Sequence, residues 1–308
     1  MSTAFNTASD YGDGCWDIIL VSSDTVHFYV RICRLLNAST SYFGSLLLPC
    51  LSEDSRVVHA CINVSEGMYV LDVLLHVIYD IPFQYAPALH ILLDAIRALH
   101  KYGIPLDLYI VPGKLFFEEI ARQTHHDPLE VYAVAAEHNI FPLARRASGH
   151  LLKFPLVFLA DDMAARLGLA YLHMLYSLHL ARVYHLQRIL AKPPQFHEPT
   201  TLCGESEYQV LQLTWYNETI NLTSQANPGK SFWVIRARGS DEMIHLFSDV
   251  SGIDIWNALD RVRSLLTCAE CQNIVQRRID EAISQWSETP TTISRDMREF
   301  YVALSSSQ

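Results

Sequence analysis

The 308-residue chain carries 23 Lys and Arg against 33 Asp and Glu, a formal net charge of -10, and half of its residues are hydrophobic while 18% are charged. That much apolar material excludes general disorder, and the length exceeds what one hydrophobic core usually organises, so two or three units are expected. The negative balance works against a phosphate-neutralising surface. Arg145-Arg146 and Arg277-Arg278 stand isolated, without interleaved aromatic residues for stacking on bases, so nucleic acid is not an expected partner.

Met1 to Asp13 has no basic cluster followed by an apolar run and reads as a polar, flexible tail, not a secretory signal. The most membrane-like stretch, Leu151 to Leu180, is broken by Lys153, Asp161, Asp162 and Arg166, so no spanning helix and no membrane partner are expected. Seven cysteines without a secretion signal read as free thiols in a soluble cytoplasmic or nuclear protein.

Asp17 to Val21 is a short apolar run, Ser22-Ser23-Asp24-Thr25 supplies turn chemistry, and Val26 to Val30 alternates aromatic and β-branched residues, which predicts a hairpin. From Ile32 the spacing becomes helical. Leu35 and Leu36, then a cap at Thr40 or Ser41 followed by Tyr42, Phe43, Leu46 and Leu47, predict two short helices. Arg56 to Val64 predicts a third strand, with Val58, Ala60 and Ile62 on one face, and Ser65-Glu66 predicts a helix start. That helix carries the stripe Val70, Val73, Leu74, Val77 and Ile78 and stops at Pro82. Pro87 opens the next, with Leu89, Leu92, Leu93, Ile96 and Leu99 in register until Gly103 and Pro105.

These residues resemble the BTB/POZ family. Asp17-Ile-Ile-Leu20, Ser22-Ser23-Asp24, Phe28-Tyr-Val30, Tyr42-Phe43, Leu71-Asp-Val-Leu-Leu-His-Val-Ile-Tyr79 and His100-Lys-Tyr102 are similar to its consecutive signatures, most of all in its fungal branch, over roughly the first third of the chain. Arg31 stands where the family usually has His, and one residue is inserted between Val30 and Phe43. The resemblance implies a non-enzymatic adaptor that binds proteins and dimerises through its N-terminal segment, with Trp16 as a candidate interface residue. It also implies a candidate cullin contact, because Leu51-Ser-Glu53 matches the hydrophobic-x-Glu triplet of ubiquitin-ligase adaptors. Leu51 would be an apolar anchor and Glu53 would fix orientation, with Phe43 and Tyr79 nearby. The same triplet also reads as a plain exposed loop, and Phe43 and Trp16 as core residues.

Past Gly103, Tyr109 to Gln123 reads as helix, and Asp127-Pro128 caps a helix over Leu129 to His138. Met163, Leu167, Ala170, Tyr171, Met174 and Leu178, with Leu169, Leu172 and Leu175 opposite, predict a helix packed on several sides. Lys192-Pro-Pro194 to Gly204 reads as a boundary or long loop. Gln209 to Tyr216 and Phe232 to Arg238 fit strands or short helices, with Asn227-Pro-Gly229 a turn between them. Ile255, Leu259, Val262 and Leu266, then Val275, Ile279, Ile283 and Trp286, restore helical stripes. The fold class expected is α+β: a BTB/POZ domain over 14–105, a helical extension over 106–192 and a mainly helical region over 193–288, between flexible tails 1–13 and 289–308.

Among residues that carry chemistry, Cys268-Ala-Glu-Cys271 has the spacing of a redox pair or of half a zinc site, but it falls within a stretch read as helical. Cys203 and His197 are the candidates that would complete a zinc site, and the alternative is that the cysteines are small buried hydrophobes. His173, His179 and His185 share a helix at a spacing of six, which puts successive members about 120° apart and prevents them from facing one ion. Asp161-Asp162 fits the first turn of a helix. Gly-x-Ser-x-Gly, HExxH and phosphate-cradling glycine loops do not occur, so neither an enzyme nor a cofactor is expected. Two other readings stay open: a transcriptional or chromatin co-regulator with the same fold, and a zinc-binding module or metal-dependent enzyme built on Cys203, Cys268 and Cys271.

Overall fold

The computed structural model describes residue 5 and residues 18–51, 60–195, 197–200, 203–226 and 250–296. Trp16, Asp17, Glu53 and the segment Asn227 to Arg238 lie outside the described residues. The protein is α+β, with a three-stranded sheet and eleven α-helices among the described residues. It divides into two compact units, Met1–Ala147 and Ser148–Gln308, and the division falls inside the segment expected to be one helical extension.

In the first unit, β1 (Ile18–Val21) pairs antiparallel with β2 (His27–Val30), Ile18 opposite Val30, as the hairpin pattern predicts. β3 (Ala60–Asn63) joins the other edge of β1 in parallel, Ile18 beside Ala60, giving the order β2-β1-β3. Ile18, Leu20, Phe28 and Val30 are buried on the core side. The turn chemistry does more than reverse the chain. The Ser22 hydroxyl donates to Asp24 at 2.5 Å, and the Asp24 carboxylate accepts the Met68 amide at 3.0 Å, capping α2 (Met68–Tyr79) from a distant loop. The helix starts at Met68, not at Ser65-Glu66, because Glu66 is engaged elsewhere: its carboxylate takes the Lys101 ammonium at 2.7 Å and the Tyr102 hydroxyl.

α1 (Ile32–Ala38) forms as expected, but its expected companion over residues 40–47 does not. Tyr42, Phe43, Gly44 and Ser45 all adopt left-handed backbone angles. Serine side chains explain the departure, since the Phe43 amide donates to Ser39 Oγ at 2.7 Å and the Gly44 amide to Ser41 Oγ at 3.0 Å, competing with helical bonding. The same serines stitch the turn to the end of α3 (Leu89–Lys101), where both hydroxyls donate to the Tyr102 carbonyl. Gly103 sits at φ +68°, and a Cβ there would lie 2.1 Å from Ser41 Oγ, so glycine is required on two counts.

α4 (Leu106–Tyr109) and α5 (Leu115–Gln123) are separate helices, broken at Pro112-Gly113 where Tyr109 to Gln123 reads as one. Asp127 caps α6 (Pro128–Glu137) by accepting the Glu130 amide, as Asp-Pro predicts. Arg97 of α3 bonds Glu130 at 2.7 Å and ties the two helices. α7 (Phe141–Ser148) follows.

In the second unit, α8 (Asp161–Leu190) carries both aspartates in its first turn and kinks at Gly168, which has φ +63°. It is not apolar-packed all round. Leu167, Tyr171, Leu175 and Leu178 are buried, whereas Leu169 is 85% and Leu180 57% exposed, because its neighbours α9 (Glu205–Gln225) and α11 (Ala269–Ser287) cover one side. α9 settles Gln209 to Tyr216 as helix, with Leu211, Trp215 and Leu222 buried on one stripe. α10 (Gly252–Ser264) begins with a reciprocal Ser251-Asp254 capping box and buries Ile255, Leu259 and Val262 of its expected stripe, with Leu266 buried just past its end; α11 buries Val275, Ile279 and Trp286, and Ile283 is partly buried. Indole and guanidinium donors close the ends: Trp215 Nε1 donates to the Leu190 carbonyl at 2.8 Å, Trp286 Nε1 to Val250 at 2.7 Å, and Arg278 to Lys192 at 3.0 Å and to Ile189. Arg182 lies 4.4 Å over the Trp286 ring and donates to the Pro290 carbonyl at 2.9 Å.

His179 is 8% exposed, and burial pulls its pKa down to about 4, with Arg182 one turn on adding to the effect. The folded state therefore resists the proton. Its stabilising contribution is complete above the ordinary value near 6.5 and is lost as pH falls toward 4, about 3 kcal/mol in all. Unfolding free energies across that window should fall more steeply for the native chain than for His179→Gln. Superimposable pH profiles would contradict the assignment.

No helix among the described residues is long and apolar enough to cross a membrane.

Candidate metal centre

Two connections of the second unit converge on one point. The segment between α8 and α9 contributes His197 and Cys203, and the junction of α10 with α11 contributes Cys268 and Cys271. One donor atom from each of the four residues lies within 4.8 Å of all the others. His197 Nε2 is 3.3 Å from Cys268 Sγ and 3.2 Å from Cys271 Sγ, and Cys203 Sγ is 3.6 Å from Cys271 Sγ. Among the described residues this is the only group of three or more His, Cys, Asp and Glu side chains with such proximity.

Local structure accounts for the convergence. Thr200 and Cys203 form an isolated bridge in which the Thr200 amide donates to the Cys203 carbonyl at 2.9 Å, and Cys203 stands one residue before the α9 cap, Gly204. Cys268 is the N-cap of α11 and Cys271 lies in its first turn, so the pair straddles a helix start instead of lying within a helix as its surroundings suggest. First-turn amides point at sulfur: those of Cys271 and Glu270 both donate toward Cys268. His197 is oriented by its other nitrogen, with Nδ1 2.7 Å from the Glu198 carbonyl, which places the proton on Nδ1 and leaves the Nε2 lone pair facing the thiols. The Tyr208 hydroxyl donates to the His197 carbonyl and fixes the backbone beneath it. Sequence spacing does not point to Tyr208 or Glu198. Tyr208 acts on the His197 main chain, and Glu198 acts on the His197 ring through its own main-chain carbonyl.

Cys203 and Cys271 are buried in the core of the unit and the His197 side chain is 7% exposed. Amide donation from Cys271, seconded by His197, draws the Cys268 thiol well below its ordinary range, while burial pushes Cys271 and Cys203 up. The Glu198 carbonyl raises His197, with the Cys268 sulfur reinforcing it. Three soft sulfurs and one imidazole nitrogen are a donor set that can hold a tetrahedral ion.

The candidate contacts of the first unit are dispersed. Leu51 ends a short 3₁₀ turn, Leu48–Leu51, and is 45% exposed. Phe43 is fully buried, its ring stacked 4.1 Å from that of Tyr102, so it shapes the loop and presents no surface. Tyr79 is half-buried; its hydroxyl accepts the Arg31 amide at 2.9 Å and Phe5 packs edge-on against its ring at 5.3 Å. Trp16 and Glu53 lie outside the described residues.

No family model matches the chain, and neither the curated proteins nor the solved structures provide a match.

Proposed function

We propose that the protein is a non-catalytic adaptor that recruits partners through a BTB/POZ-type N-terminal domain. The carrying observation is the three-stranded sheet in the order β2-β1-β3, with β3 returning in parallel after α1 and followed by the adjacent helices α2 and α3. The hairpin, the third strand and the paired helices support that reading, while the second short helix that the resemblance implies over residues 40–47 does not form. The reading is further supported by Leu51, an exposed apolar side chain on the segment leading into β3, where a protruding anchor can enter a partner's groove.

Within this reading the Leu51-Ser52-Glu53 triplet contacts a cullin, and the second unit presents the protein to be recruited. The purified chain should capture the cognate cullin. Leu51→Ala combined with Glu53→Ala should weaken capture by at least about tenfold, equivalent to about 1.4 kcal/mol. Unchanged capture by the double variant would remove the triplet from the account, and absence of capture by the native chain would remove the cullin.

A further inference from the structure

We infer that His197, Cys203, Cys268 and Cys271 bind one Zn²⁺ in a closed, tetrahedral, structural site that clamps the α8–α9 connection to the start of α11. The inference concerns the second unit and stands independently of the adaptor reading.

Distances favour a single ion. Zinc bonds of about 2.3 Å to sulfur and about 2.05 Å to nitrogen place tetrahedral donors about 3.8 Å apart for two sulfurs and about 3.6 Å for sulfur and nitrogen. The observed separations of 3.6 Å between Cys203 and Cys271, and of 3.2 and 3.3 Å from His197 to the two sulfurs, need shifts of only a few tenths of an ångström. An iron-sulfur cluster is larger and is usually held by four thiolates. Donors no more than 4.8 Å apart enclose room for one ion, and the mixed set contains only three sulfurs. Soft thiolates with one imidazole suit zinc, whereas calcium and magnesium take oxygen ligands.

Position and orientation agree with that assignment. The Nδ1 contact to the Glu198 carbonyl gives His197 the tautomer in which Nε2 is free to coordinate, an outer-sphere arrangement typical of metal-binding histidines. Four protein donors complete the tetrahedron, so no coordination position is left for water or substrate and the role is structural. On binding, each protonated thiol exchanges its proton for a Zn–S bond and the imidazole shares its Nε2 lone pair; the product is one zinc with three thiolates, and no electrons are transferred. Its Cys203–Cys271 and His197–Cys271 pairs join positions 68 and 74 residues apart in sequence. It also sits against the core of the unit, where Cys203 and Cys271 are buried beside Leu211 and Val275.

The test is elemental analysis of the full chain, expressed with zinc and purified without chelator, alongside circular dichroism to establish folding. One zinc per chain is expected, together with loss of the second unit's unfolding transition when a strong chelator removes it. Cobalt replacement should give the d–d absorption of a tetrahedral ion and a thiolate-to-metal charge-transfer band. His197→Cys preserves four donors and should retain the metal, while His197→Ala should lower zinc affinity by more than about 100-fold. A folded chain without metal, a chain holding iron or copper, or a Cys203–Cys271 disulfide in the freshly purified protein would each overturn the assignment.

Discussion

Replacing Trp215 by alanine is expected to cost the second unit about 4 kcal/mol of unfolding free energy, the typical penalty for deleting a fully buried indole. The side chain is 0% exposed in a core that includes Leu186, Leu211, Ile255 and Val275, and its Nε1 is the partner of the Leu190 carbonyl. Two losses therefore combine, the cavity and an orphaned acceptor at the end of α8. Trp215→Phe separates them. It keeps most of the apolar volume and sacrifices the hydrogen bond, so a smaller cost of about 1 to 2 kcal/mol is expected. Denaturant titration followed in the far-ultraviolet measures both, and a Trp215→Ala midpoint close to the native one would contradict the packing described.

Arg278→Ala is expected to cost about 3 kcal/mol, because the guanidinium is a helix cap more than an ion-pair member. Only 8% exposed, it donates to the carbonyls of Ile189 and Lys192 at the end of α8. Its carboxylate neighbour Glu281 is 3.6 Å away and 65% exposed. Exposed pairs of this kind contribute little, so Glu281→Gln should change stability by less than about 0.5 kcal/mol. If the two substitutions prove equally costly, the capping account is wrong. Trp215 and Arg278 serve adjacent carbonyls of one helix end, so the effects of their alanine variants should not add.

The elements that were legible in the sequence are those whose bonding is local. The Ile18 to Val30 hairpin, the Asp127-Pro128 cap and the stripes of α3, α10 and α11 follow from spacing and capping within one segment. The failures have long-range causes. Residues 40–47 have helical spacing, but the hydroxyls of Ser39 and Ser41 bond the local amides and the distant Tyr102 carbonyl. Ser65-Glu66 looks like a helix start, yet Asp24 supplies the cap and Glu66 turns to Lys101 and Tyr102. The apolar residues of α8 give no sign of which face its neighbours leave bare.

The donor cluster was half legible. Cys268-x-x-Cys271 identifies itself by spacing, and Cys203 and His197 were nameable as candidates. That the four meet was not, because it depends on two connections being brought together by the packing of α8, α9, α10 and α11. The N-terminus of α11 was also hidden. The apolar stripe begins after it and its cap is Cys268, outside the usual Ser, Thr, Asp and Asn repertoire.

The parallel pairing of β1 with β3 has a consequence for the order of events during synthesis. A two-stranded ribbon of four residues a side is marginal in water by itself, so the Ile18 to Val30 hairpin persists only once Ala60–Asn63 has emerged to flank it. Until then Leu20 and Phe28 have no finished core to enter. Closing the intervening loop precedes any gain from the contacts it brings, a topology that slows nucleation. Without β3 in place, the free edge of β1 is open to pairing with another copy.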